Sequence, residues 1–180
     1  MILTPVLFGT TGLDSKAAAV PLEMLISIIG IILIVPIFQP EQDNEIWDVI
    51  VSKYIDSIYV YLIRVAYSIT GIIILVLTFS LFMSVCGCEI TIELVGGTVA
   101  DAMFLGAIGL FTSALTSNTP VSFMVPLLYY VLNLTMKSKF GNFNLFAMMN
   151  GNYKPNIWIF ISSLILVFVS IMIKKMFSKK

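Results

Sequence analysis

Three stretches of this chain carry no charged residue: 24 positions from Val65 to Cys88, 35 from Ala102 to Met136 and 19 from Pro155 to Ile173. A helix that crosses the hydrocarbon core of a bilayer needs about 20 apolar residues. Runs of this length leave few folds open, because a chain in lipid must satisfy its backbone hydrogen bonds within helices or a closed barrel. Composition agrees: 59% of the residues are hydrophobic and 11% charged, against about 45–50% and about 25% in soluble domains. The sequence predicts an all-α membrane protein, with residues 1–180 forming a single membrane domain.

Five spans are expected, at about 17–38, 58–84, 94–115, 120–136 and 156–173. The first sixteen residues are apolar but short, broken by Pro5, Gly9 and Gly12, and have no basic start of the kind a cleaved signal peptide carries. Glu23 follows Pro21 by two positions and is expected near the headgroups, as an interfacial acid rather than an ion site. Asp101 lies inside the third span, toward its start. Arg64 falls in the first two turns of the second span, from where its side chain can snorkel to the surface. Gly106, Gly109 and Ser113 recur at helical spacing and suit close packing of one helix on another. At Thr116–Pro120 the chain breaks, with Asn118 or Thr119 as cap and Pro120 in the first turn of the fourth span. KSKFGNFNLFAMMNGNYKP is too short and too polar to span, and is expected as an interfacial or re-entrant piece. The similarity of SIIGIILIVPIF to SITGIIILVLTF is what an Ile-rich composition produces without any repeat.

Between the first two spans lies the one long polar island that is both acidic and helical in pattern, an amphipathic helix over about 40–56. Glu41, Glu45, Asp48, Ser52 and Asp56 form one stripe; Ile46, Val49, Ile50 and Tyr54 form another, flanked by Trp47 and Val51. Pro40 suits a first helical position, and Glu41, Asp43 and Glu45 sit near the positive end of the helix dipole. Such a helix lies along a membrane face, or serves as a solvated connector.

Several chemistries are excluded or disfavoured. The net charge is zero, with ten basic and ten acidic residues, and no basic patch marks a nucleic-acid surface. Histidine is absent, which removes the commonest general base and metal ligand. Cys86 and Cys88 are too close for an unstrained disulfide and have no second pair to complete a metal site; they read as small residues at a span end. No phosphate-binding loop is present, so ATP chemistry is not expected in this chain. No catalytic, cofactor or metal residue is assigned, and the chain is not expected to be an enzyme. The lysines at 174, 175, 179 and 180 place the C-terminus in the cytoplasm, with six basic residues inside against four outside.

The order of a span, PIFQPEQDNEIWDVIVSKYIDSIYVYLIR and a long span resembles the type-2 ABC exporter permease family. GTVADAMFLGAIGLFTSALTSNTPVSFMVPLLYYVLN, with its small-residue span, short break and aromatic-ended span, looks like that family's middle. The resemblance covers roughly residues 17 to 175; such permeases usually have six spans, and the first has no counterpart here. It implies a cytoplasmic coupling helix whose contact with a separate ATP-binding subunit uses Glu41, Asp43, Glu45, Ile46, Trp47, Asp48, Ile50, Ser52 and Lys53. It implies ATP and Mg on that partner, a second permease subunit, and a cell-membrane location. The cargo would be hydrophobic or amphipathic (a peptide, drug or lipid-like molecule), with Tyr129, Tyr130 and Asn133 either along its path or in an aromatic belt. The alternatives are an ion-coupled carrier using Glu23 and Asp101, and a non-transporting accessory membrane protein.

Overall fold

The computed structural model describes residues 13–41, 57–136 and 141–178, and every regular element among them is helical. The first helical stretch changes its winding three times. It runs as α1 (Ser15–Pro21), a π-helical turn (Leu22–Ile26), α2 (Ile29–Ile34) and a 3-10 segment (Val35–Glu41). Pro40 lies inside that last segment and so continues the first stretch, whereas the sequence pattern started the next helix there. Pro36 and Pro40 offer no N–H to an α-helical ladder, and tighter winding accommodates them.

Long helices follow: α3 (Ser57–Val85), α4 (Ile92–Thr116), α5 (Thr119–Thr135) and α6 (Lys154–Ser178). Two 3-10 turns, Gly141–Phe143 and Met148–Asn150, interrupt the connection between α5 and α6. Four helical stretches are long and apolar enough to cross a bilayer: Lys16–Pro40, Ile58–Val85, Ile92–Thr116 and Lys154–Met176. The fourth expected span, at about 120–136, is α5, which has 17 residues, about 25 Å of helix against the roughly 30 Å of a bilayer core. Its length is set by the break at Ser117, which takes a left-handed φ of 48°, and by the end of the helix at Thr135. Asn118 occupies the N-cap position and Pro120 the first turn, as the sequence predicts, although the Asn118 side chain makes no capping bond.

At the centre of the bundle stands α4, in contact with α2, α3, α5 and α6. Its small residues explain how so many neighbours fit around it. A Cβ added to Gly30 of α2 would lie 1.7 Å from the Ala102 carbonyl oxygen, and one on Gly106 would lie 2.6 Å from the Gly30 carbonyl oxygen. One added to Gly109 would meet the Val35 side chain at 2.3 Å. Backbones this close gain van der Waals contact along their whole length, which is how helices associate where lipid removes the hydrophobic drive. The outer faces of α3 and α6 stay exposed and apolar, with Leu62, Ile63, Ile74 and Leu81 on one and Ile157, Ile161, Ile165 and Phe168 on the other. That is the surface a bilayer requires.

Candidate functional site

Residues 145–148, between α5 and α6, fold into the bundle. Leu145, Phe146, Ala147 and Met148 are all buried. A buried non-helical backbone must find partners for its N–H and C=O groups, and side chains from two helices supply them. From the π-helical turn, the Glu23 carboxylate accepts from the Met148 N–H through Oε1 at 2.8 Å and from the Met149 N–H through Oε2 at 3.2 Å. From α5, Asn133 Oδ1 accepts the Leu145 N–H at 3.1 Å, and its Nδ2 donates to the Phe143 carbonyl at 3.0 Å. Tyr129 also donates to that carbonyl, at 2.7 Å. Tyr130 donates to the Met24 carbonyl at 2.8 Å and packs edge-on against Phe146. Tyr129, Tyr130 and Asn133 are therefore brought together, with their polar atoms directed at the 143–149 segment and the first helical stretch.

Glu23 departs from the sequence expectation. It is 1% exposed because the 145–149 segment covers the ground where headgroups were expected. The π-helical turn belongs to the same arrangement: the Ser27 N–H reaches back five residues to the Leu22 carbonyl at 3.2 Å. A wider turn of this kind re-aims the side chains on it and often marks a functional position.

Asp101 is fully buried, and neither carboxylate oxygen has a hydrogen-bond partner. It is the tenth residue of α4, about 14 Å into the helix. Gly97, Asp101 and Phe104 follow steps of four and three and so share one face of α4. The 143–148 segment lies along that face. A Cβ on Gly97 would meet the Met148 sulfur at 2.3 Å, and Phe143 stacks on Phe104 with centroids 6.2 Å apart. Asp101 thus sits between two points that the segment covers. A cleft of about 350 Å³ opens between α4 and α6, bordered by Glu93, Gly97, Ala100, Asn156 and Phe160, with Asp101 itself behind its wall. Among the described residues, no group of three or more Cys, Asp or Glu side chains is placed to hold a metal ion.

A second cluster lies at the other end of the bundle. Arg64 of α3 donates to the Ile37 carbonyl at 3.0 Å, and Ser68, one turn on, donates to the Leu33 carbonyl at 2.9 Å. The Phe38 ring meets Tyr61 edge-on at 5.1 Å, and the Lys174 ammonium lies 5.7 Å from the centre of the Phe38 ring. Lys174, counted from sequence with the basic C-terminal lysines, is 8% exposed. It shares a face of α6 with the buried Val167 and Ile171, and that spacing is the signal that separates it from the lysines beyond. Glu41 closes the first helical stretch. Asp43, Glu45, Ile46, Trp47, Asp48, Ile50, Ser52 and Lys53 lie outside the described residues, as does most of the expected 40–56 helix. No protein-family model, curated protein or solved structure matches the chain.

Proposed function

We propose that this chain is the permease subunit of an ABC-type exporter, driven by a separate ATP-binding subunit. The observation that carries the reading is the clamp formed by Arg64, Ile37, Phe38, Tyr61 and Lys174. It joins the end of the first helical stretch, the start of α3 and the last turns of α6. Glu41 and Ser57, the described residues that flank 42–56, belong to two of the elements this clamp joins. A push on residues 42–56 from a partner closing around nucleotide would therefore reach three helices through these contacts. The acidic stripe and Trp47 supply the partner's contact surface, and the C-terminus lies on the same, cytoplasmic, side of the cell membrane.

Cargo is hydrophobic or amphipathic, and two permease subunits line its path. Tyr129, Tyr130 and Asn133 border that path when the 143–149 segment lifts away from α4. ATP and Mg belong to the partner.

The test is purification from native membranes under mild detergent. An ATP-binding protein with a phosphate loop should co-purify, and the isolated chain should hydrolyse no ATP. ATP turnover by the chain alone, or purification of the intact chain without any nucleotide-binding protein, would contradict the reading.

A further inference from the structure

We infer that Asp101 is a binding site for the positive charge of an organic cation, kept closed by the 143–149 segment. A carboxyl group in the core of an apolar bundle, with no donor to either oxygen, is an expensive feature that packing does not explain. The other carboxyl group near it, Glu23, already accepts two backbone N–H groups. Among the described residues no basic side chain serves Asp101: Arg64, Lys16, Lys154, Lys174 and Lys175 lie near the ends of their helices. In its carboxylate form Asp101 would need a positive charge at this depth.

The surroundings favour an organic cation over a bare metal ion. Metal ions need several oxygen ligands, and Asp101 offers one carboxyl group. Aromatic rings stand beside it instead. Phe104, on the same face of α4, meets Tyr129 edge-on at 5.6 Å and stacks on Phe143. Aromatic faces next to a carboxylate are the common means of holding an alkylated or hydrophobic ammonium. The cleft bordered by Glu93, Gly97 and Ala100 brings such a ligand to the turn of α4 that precedes Asp101. Full entry requires the segment to lift, and the bonds from Glu23 and Asn133 set how often it does.

The inference rests on the permease reading only in making this cation the cargo; binding itself needs no ATP-binding subunit. The probe is tetraphenylphosphonium, a permanent hydrophobic cation, applied to the full chain in detergent and measured by equilibrium dialysis, with uncharged triphenylphosphine oxide as control. The parent should bind the cation saturably and in preference to the neutral compound. Asp101→Asn should raise the Kd about tenfold or more, the loss expected when a buried charge partner is removed, and Asp101→Glu should restore part of the affinity. Asn133→Ala leaves both carboxyl groups in place and removes two of the bonds that hold the segment, so it should lower the apparent Kd by raising the open fraction.

Equal binding by the parent and Asp101→Asn overturns the proposal. So does equal binding of the cation and the neutral compound. Absence of saturable binding in both the parent and Asn133→Ala leaves Asp101 nothing larger than a proton to accept, and overturns it too. Displacement of the probe by sodium at constant ionic strength would assign the site to an inorganic ion instead. The Asn133→Ala and neutral-probe comparisons require no change at Asp101, so they decide the matter even where its variants express poorly. Failure of binding alongside intact ATPase association would remove the cation site and leave the permease reading standing.

Discussion

Replacing Glu23 by Ala takes both carboxylate oxygens away from the Met148 and Met149 N–H groups, which they reach at 2.8 and 3.2 Å. Met148 is fully buried, so its N–H has no water to turn to, and an unsatisfied buried donor costs about 1–3 kcal/mol. Met149 is half-buried and recovers part of its bond from solvent. Docking of the 145–149 segment should weaken by about 2–4 kcal/mol, the two bonds being charge-assisted. Glu23→Gln keeps one oxygen but turns an NH2 toward the other amide, for a loss of about 1–2 kcal/mol. The assay is maleimide labelling of a cysteine placed at Ala147, which is 3% exposed, with Cys86 and Cys88 replaced by Ala. At 1.4 kcal/mol per factor of ten, Glu23→Ala should accelerate labelling about thirtyfold or more, with Glu23→Gln between it and the parent. Labelling at the parental rate in both variants would show that Glu23 does not hold the segment.

Gly30→Ala should be among the most damaging small substitutions, since its Cβ would lie 1.7 Å from the Ala102 carbonyl oxygen. The two helices must separate, and thermal unfolding in detergent should show a loss of at least about 3 kcal/mol. Asp101→Leu should act in the opposite direction. Removing a buried carboxyl group without a partner should stabilise the bundle by about 1–3 kcal/mol in the same assay while abolishing cation binding. Arg64→Met keeps the apolar stem but deletes the donor to the Ile37 carbonyl; a drop of about 1–2 kcal/mol is expected.

The all-helical class, the four helices long and apolar enough to cross a bilayer and the close packing at Gly106 and Gly109 were legible from sequence because each depends on local features: run length, charge distribution and spacing along one helix. The further crossing expected at 120–136 is a shorter helix. The burial of Glu23 was not legible. Two positions after Pro21 at the start of a span, its place by depth is the interface, and only the return of residues 125 positions later in the chain covers it. The run LFAMM between asparagines hinted at this, being too apolar for a solvated loop, but run length alone does not say which helix such a segment docks on. Asp101 was visible as an intramembrane acid. That it has no partner follows from the identities of its neighbours on other elements, which spacing along α4 does not reveal. The π-helical turn left no mark in the sequence, because Leu22–Ile26 reads as ordinary helix and widens only where Glu23 and the Met24 carbonyl meet partners from elsewhere.

The proposed contact with an ATP-binding subunit is tested most directly at Glu41–Lys53, by measuring cargo-stimulated ATP hydrolysis and co-purification in the reconstituted complex. Exposed ion pairs contribute only about 0–1 kcal/mol each, so Glu45→Lys and Asp48→Lys are combined. Trp47→Ala removes an aromatic anchor of the kind that carries about 2 kcal/mol or more at an interface. The double charge reversal should weaken assembly, and Trp47→Ala should weaken it more than either charge change made singly, with membrane insertion unchanged in every case. Parental assembly and turnover in both the double mutant and Trp47→Ala would make residues 42–56 a solvated connector and contradict the coupling role.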